Sequence, residues 1–283
     1  MPRSLRYVLL PLALAACNAA SAQTPSANMM PDGSRDMYLG VGIESAPRYE
    51  GMDERRTQAV PALQAQWSNG IFVAGLAAGM HLSSTPGIEY GPLLAIEPGR
   101  RDTWVQAVYV NTAVSANTGA SYAYAQVHEV GTRPEAGGFL NVYLSDSARV
   151  AASVLYGAGE NRNGLIARID VQQSFHPSAH HTLSLLAGFN WVNKEYMQSY
   201  FGVPHDSIAL TPGGSVAFVQ DGFEPGAGFK DTHLSLHWNW EWSSSWMLAS
   251  QVIATRLEGN AAASPLTARR DNLTVSTAIA YRF

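Results

Sequence analysis

The chain has one cysteine, Cys17, among 283 residues. A single cysteine makes no internal disulfide and no multi-cysteine metal site. Charge is also scarce. Asp, Glu, Lys and Arg make up 14% of the chain, against about 25% in ordinary soluble domains. That deficit suits a protein whose outer surface lies largely out of water. The charges nearly cancel, leaving a formal −4. There is then no basic patch for nucleic acid, which is not expected as a partner. No apolar run reaches the ~20 residues of a membrane-spanning helix, and the longest one is at the N-terminus. Strong catalytic signatures are missing as well: there is no Gly-rich phosphate loop, no H-E-x-x-H and no G-x-S-x-G.

What the sequence has is alternation. In residues 272–283, Leu273, Val275, Thr277, Ile279, Tyr281 and Phe283 share one face, while Thr274, Ser276, Ala278, Ala280 and Arg282 share the other. Side chains alternate across a strand, so this is a strand with one apolar and one polar or small side. Its closing aromatic resembles the terminal signature of bacterial outer-membrane barrels. The pattern repeats in residues 36–45, 57–67, 71–82, 87–97, 136–144, 148–156, 165–175, 183–191, 234–242 and 246–257. Residues 71–82 read as one strand with Phe72, Leu76, Met80 and Leu82 outward. Pro61 and Pro92 interrupt otherwise regular strands and are expected near a bulge or a strand end.

Connections alternate in length. Those at 69–70, 145–147, 176–180 and 243–245 are short, and those at 46–56, 192–225 and 258–271 are long. Outer-membrane barrels have short periplasmic turns, longer external loops and an even strand number. The expected fold is therefore all-β: a transmembrane, antiparallel, up-and-down barrel of about 12 strands (10–14), with both termini periplasmic. Parity leaves room for one wall strand between Glu97 and Ala136, where residues 103–113 and 121–130 both look like strands. Residues 121–130 are expected in the wall and the other outside it, at the periplasmic rim. A lipocalin-like or sandwich fold would also alternate, but with more surface charge. Trp242 and Trp246 flank one short turn, and Tyr281 and Phe283 end a strand on the same expected side, which fits a periplasmic aromatic girdle.

The first 22 residues form an expected signal peptide. Arg3 and Arg6 supply the basic region, residues 7–16 the apolar one, and Ala20-Ser21-Ala22 the cleavage site. The mature chain would start at Gln23. Leu14-Ala15-Ala16-Cys17 also resembles a lipobox, which would instead lipidate Cys17. Residues 23–35 are expected to be a disordered lead-in, and 36–283 the barrel. The expected location is the outer membrane of a Gram-negative cell, with outer-membrane lipid as the surroundings.

Several segments resemble the MipA/OmpV family of MltA-interacting outer-membrane proteins. They are Leu39-Gly40-Val41-Gly42, Pro47-Arg48-Tyr49-Glu50-Gly51-Met52-Asp53, Val60-Pro61, Tyr90-Gly91-Pro92, Gly99-Arg100 and Gly137-Gly138-Phe139. Further along are Tyr196-Met197-Gln198-Ser199-Tyr200-Phe201-Gly202-Val203, Arg256-Leu257-Glu258-Gly259-Asn260-Ala261, Ser264-Pro265 and Tyr281-Arg282-Phe283. Asn260 stands where the family usually has aspartate, and the stretch 101–133 looks expanded. The resemblance implies an outer-membrane barrel. For some members it implies a scaffold joining a murein lytic transglycosylase to a peptidoglycan synthase on the periplasmic side. The alternative is a narrow pore or receptor for small polar solutes.

No catalytic, cofactor or metal residue is expected. His180-His181 on a turn is too small a set to hold a metal tightly alone. Ser235 and His237 share a strand face, but their ~7 Å spacing is too long for a direct hydrogen bond. Two polar groups stand out. Arg168, Asp170, His237, Glu241 and Arg282 fall on lumen faces, as a charge network or a solute filter. Arg48, Tyr49, Glu50 and Asp53 in the first long loop, with Arg256 near the last, are read first as ordinary solvated loop residues, and otherwise could pair across the external rim or bind a ligand there.

Overall fold

A computed structural model describes residues 37–82, 87–100, 104–109, 121–126, 129–157, 164–204, 207–210, 216–219 and 222–283. The expected signal peptide, Cys17 and the lead-in lie outside these residues. In chain order the strands begin β1 (Tyr38–Pro47), β2 (Arg55–Gln66), β3 (Ile71–Ala74), β4 (Ala77–Met80), β5 (Ile88–Glu97), β6 (Trp104–Tyr109) and β7 (Ser121–Gln126). They continue with β8 (Arg133–Ser145), β9 (Ala148–Gly157), β10 (Gly164–Ser178) and β11 (His181–Val192). Helix α1 (Lys194–Phe201) follows, then β12 (Ser207–Leu210), β13 (Val216–Val219), β14 (Gly228–Glu241), β15 (Trp246–Leu257), helix α2 (Gly259–Ala263) and β16 (Asp271–Arg282).

Twelve of these strands close a barrel in the order β1-β16-β15-β14-β11-β10-β9-β8-β5-β4-β3-β2, every neighbour antiparallel. The other four form a separate sheet, β13-β12-β7-β6. Closure removes every free edge, as a membrane-spanning sheet requires. Outward positions are apolar: Leu39, Val41 and Ile43 are 58–65% exposed, and Leu234, Leu236, Trp238 and Trp240 project the same way. Their alternates Glu44, Ser235, His237 and Asn239 are buried inside. With lipid outside, that arrangement is a transmembrane barrel. Among the described residues no helix is long and apolar enough to cross a membrane.

The strand number matches the expectation, but it is reached differently. Residues 71–82 are two strands. Gly75, at φ +57°, and Leu76 turn the chain halfway up the wall, and a left-handed glycine there ends any straight strand. Before the break the expected face is reversed, with Phe72 pointing into the lumen and Ile71 outward, while Met80 and Leu82 after it are outward as expected. Neither candidate strand between Glu97 and Ala136 belongs to the wall. β6 and β7 pair with each other, and β7 with β12. Their connection joins the far ends of β5 and β8, where Glu97 faces Arg133. That is the rim of the long connections, 48–54, 193–227 and 258–270, opposite the termini and short turns. The expectation that this segment shares a rim with the termini is thus corrected by strand direction: β5 runs away from the terminal rim.

Pro61 sits where a ladder stops, and Pro92 sits in a gap within one. Ladder-bonding residues recur every second position. The amide of Gly75 donates to Leu63 at 2.8 Å, so Pro61 also turns its backbone away from β1. The β2–β3 ladder covers only Gln64 to Gln66, and no ladder bond is lost at Pro61. Ile96 donates to Leu76 at 3.0 Å, which turns Pro92 towards β4. The regular β4–β5 ladder reaches Gly79–Leu93, one residue short of it, and pairing resumes beyond the proline, where Leu82 donates to Tyr90 at 2.9 Å.

Near the terminal rim the inner face is tight. Tyr38 is buried among Ala62, Met247, Ala249, Ala278 and Ala280. A Cβ on Gly40 would strike the backbone of Ile279 and Ala280, so β1 and β16 approach as closely as they do only because Gly40 has none. Outside, Trp242 and Trp246 stack at 6.4 Å, and Trp246 meets Tyr281 edge-on at 5.1 Å.

Candidate functional site

The upper lumen is filled by α1, in a connection expected to be loop throughout. Asn193 caps the helix, its side chain accepting from the Tyr196 amide at 3.0 Å and the Leu165 amide at 2.9 Å. One bond closes a helix N-terminus and the other ties it to β10. Tyr196, Met197, Tyr200 and Phe201 are buried against Leu155, Ile166, Val192 and Leu257. Those four are apolar residues on the inner face, against the usual polar-in rule of such barrels. They are the sequence signal that could have revealed a plug. Two glycines make room for it. A Cβ on Gly164 would lie 2.6 Å from Tyr196 Cβ, and one on Gly157 would lie 2.7 Å from Arg133 Cδ.

Beneath α1 lies a layer of buried charge. Arg133 donates to Glu135 Oε1 through Nη2 at 2.6 Å and Nε at 2.9 Å. Its guanidinium carbon sits 4.9 Å from the Tyr196 ring centre and 5.6 Å from that of Tyr200. The two rings stack at 4.5 Å. Tyr196 donates its hydroxyl to Glu97 Oε1 at 3.3 Å. Burial, and then the Glu97 carboxylate, push both phenols well above their ordinary range, so they stay protonated donors. Lys230 bonds Glu50 at 2.6 Å and Asp231 at 3.2 Å. Asp231 accepts from Asn190 at 2.9 Å, and His233 bridges Asp231 at 3.1 Å and Asp170 at 2.7 Å. Buried charges are tolerated when paired and hydrogen-bonded in this way.

Lys230 and Asp231 are adjacent in sequence yet both point inward. The β11–β14 register slips there: Asn190 faces Asp231 but Trp191 faces Phe229. This β-bulge turns an extra residue to the lumen. The odd spacing between outward Phe229 and outward Leu234 is its trace in the sequence.

The expected site residues separate into several places. Arg168 donates to Asn190 at 3.1 Å, and Asp170 holds His233, so both join the buried layer. His237 is buried farther along β14. Glu241 and Arg282 face each other at 3.9 Å by the terminal rim, away from that layer. The rim residues do not form one cluster either. Arg48 pairs with Glu54 at 3.0 Å and Arg256 with Asp271 at 3.1 Å, both on the surface, and Asp53 is exposed. Tyr49 and Glu50 turn inward. Tyr49 lies under Arg100, 5.9 Å from its ring centre, and Arg100 also donates to the Tyr200 carbonyl at 2.8 Å. Ser264 donates to the Phe201 carbonyl at 2.6 Å. Asn260 donates to the Gly226 carbonyl at 3.1 Å, a bond an aspartate carboxylate would not make. Sequence reasoning missed Glu97, Arg133, Glu135, Lys230 and Asp231, and it placed Tyr196 and Tyr200 in a loop.

Below the charged layer the lumen holds a cavity of about 440 Å³, bounded by β2, β3, β5, β8, β9, β10 and β11. Its wall includes Phe72, His81, Phe139, Glu89, Asn141, Tyr143 and Arg149. The cavity reaches Gln66, the last residue of β2, and Arg149, next to the 145–147 turn. It is therefore closed above by Arg168 and Asp170 and extends down to the terminal rim.

The segments that meet at α1 come from far apart: Tyr49 and Glu50, Arg100, residues 196–203, and Ser264. The model of the family described as MltA-interacting protein MipA matches residues 39–283. The chain belongs to this family. Among solved structures it is similar to the KdgM porin, at 10% identity, covering 87% of this chain and 99% of that one, with a TM-score of 0.40. The NanC porin gives 9% identity, coverage of 87% and 100%, and a TM-score of 0.42. The outer membrane channel DcaP of Acinetobacter baumannii gives 7%, 88% and 96%, and 0.37. No curated protein matches. The family and the transmembrane barrel make this an outer-membrane barrel protein.

Proposed function

We propose that this protein acts by binding, as a scaffold that holds murein enzymes at the outer membrane, and that it is not an enzyme. The observation that carries this reading is the filled upper lumen. Arg133 and Lys230 are fully buried under α1, so side chains and a helix fill the lumen towards the long-loop rim. The family's description names MltA as the interacting partner of its members. A lytic transglycosylase, together with a peptidoglycan synthase, is the matching partner set here. The usual polarity of such barrels puts termini and short turns in the periplasm, so the partners would engage the terminal rim. The two large excursions, including β6 and β7, would then face outward and take no part. A covalent hydrolase needs nucleophile, base and orienting group within hydrogen-bond reach, and among the described residues neither rim offers such a set.

The cavity beneath the plug favours a second reading, a narrow gated pore for small polar solutes. Purification of the native protein from outer membranes, with mass spectrometry of what accompanies it, separates the two. Scaffold predicts a co-purifying lytic transglycosylase and no steady conductance in planar bilayers. Steady conductance without murein enzymes would sink the scaffold reading and leave the pore.

A further inference from the structure

We propose that the lumen cavity between the charged layer and the terminal rim is a saccharide-binding site, sized for a mono- or disaccharide. Its 440 Å³ falls within the ~300–1,000 Å³ range of small-molecule sites. The wall combines two surfaces that a sugar ring needs together. One is an aromatic face. Phe72 and Phe139 meet edge-on at 5.5 Å, and His81 lies 4.7 Å from Phe72 and 5.4 Å from Phe139. Such a face takes the apolar C–H side of a pyranose. The other is a set of directed polar groups for hydroxyls. Glu89 Oε2 accepts from Tyr143 at 2.9 Å and Asn141 at 3.3 Å, which fixes the carboxylate at the cavity wall.

Two details point to a ligand in that space. His81 Nδ1 is buried with no hydrogen bond among the described residues, and Glu89 Oε2 is 4.0 Å away. A hydroxyl seated between them would bond to both, and a buried polar atom gains from such a partner. The Glu89 side chain is also 34% exposed, so it is reached from the terminal side. The volume is created by small residues, Ala74, Ala151 and Ala152, facing the aromatic wall. A long acyl chain does not suit this density of polar groups. A phosphate does not suit a wall whose Arg149 is held by Gln172 at 2.9 and 3.1 Å.

The inference rests on the scaffold reading only for the supplier of the sugar, murein or the external medium. The test is calorimetry on the full-length barrel folded in a detergent without a sugar headgroup. The probes are chitobiose, maltose, the N-acetylglucosamine–N-acetylmuramic acid disaccharide and alanyl-alanine. Saturable binding of a disaccharide is expected. Phe139→Ala and the near-isosteric Glu89→Gln should each weaken it about tenfold, the scale of one aromatic contact or hydrogen bond. Arg256→Ala, at the opposite rim, should leave it unchanged. Saturation-transfer NMR should mark the protons of one sugar face. Preference for the muramic acid disaccharide would assign the sugar to murein, and preference for maltose would assign it to the outside; either supports the site. The proposal is overturned if no disaccharide binds, if only the dipeptide binds, or if Glu89→Gln binds like wild type. No murein enzyme is present in this assay. A barrel that captures a lytic transglycosylase but binds no sugar would sink this inference and leave the scaffold standing.

Discussion

At the scale of single residues, position relative to the wall decides what a charge costs. Leu236 faces outward in the middle of β14. Leu236→Arg should lower the stability of the folded barrel by about 2–4 kcal/mol, the cost of Arg at the bilayer midplane. Ser153→Arg, which faces the lumen cavity, should cost far less. Denaturant titration in lipid vesicles reads both, and equal costs would mean that the faces are misassigned. Lys230→Met should do more damage than its small change in volume suggests, about 3–5 kcal/mol, because Glu50 and Asp231 lose the cation between them. The outward residues were legible in the sequence because lipid imposes one rule on every strand, and Leu39, Leu236 and Ile279 obey it. Lys230 was not, because a one-residue bulge leaves both flanking patterns regular and shows only as a change of phase. Glu97 falls on the polar face of the 87–97 pattern, while Arg133 and Glu135 lie outside any expected strand, and nothing local says that residues 99 positions apart, such as Glu97 and Tyr196, will meet.

At the scale of elements, α1 is the part that the packing defines and the pattern does not. It is one short helix in a Gly- and Pro-rich connection, and its polar exposed side hides its role. What holds it is shape. Gly164→Ala would drive a methyl into Tyr196, at a cost of about 1–3 kcal/mol as for other overpacked sites. Hydrogen exchange over residues 194–201 should rise in this variant while the strand amides stay protected. Protection unchanged at α1 would mean that the contact is looser than described. High pH should act on the same element. Tyr196 and Tyr200 have raised folded-state pKa values, so the unfolded chain loses these protons first. The stability they lend is full below the ordinary tyrosine pKa of about 10 and falls as pH climbs beyond it. The protection factors at α1, corrected for the hydroxide-catalysed rise in intrinsic exchange, should therefore fall above about pH 10, and Tyr200→Phe should blunt that dependence. Among the wall elements, β3 and β4 were misread because Phe72, Leu76 and Met80 keep an even spacing straight through the turn at Gly75.

At the scale of the whole molecule, the fold was readable from alternation, connection length and the even-number rule, and the count of twelve came out right although two compensating assignments did not. The sheet of β6, β7, β12 and β13 was out of reach, since it joins strands about eighty residues apart with no regular spacing to announce them. Assembly offers a direct check. Phe283 projects outward, 67% exposed, and its amide donates to Met37 at 3.1 Å. Its deletion should slow insertion into the outer membrane, seen as a lower fraction of heat-modifiable protein after a pulse of synthesis. Protein already inserted should melt as before. Normal insertion of the deletion variant would remove the terminal residue from any part in assembly.

The seam between β1 and β16 also sets an order in time. β1 leaves the ribosome first among the wall strands, and its partner on that side leaves last. Hairpins such as β14–β15 can form as soon as they are made, but the seam requires a loop closed over almost the entire barrel, and contacts of such long range form slowly. Until then two strand edges stay open, one at each end of a growing sheet, and both invite mispairing. Gly40, which lets β1 lie so close to Ala280, matters most at that last moment. The barrel becomes free of edges in a single final event, and only in a chain that carries both β1 and β16. A chain lacking either strand therefore keeps two open edges, and its wall stays unfinished.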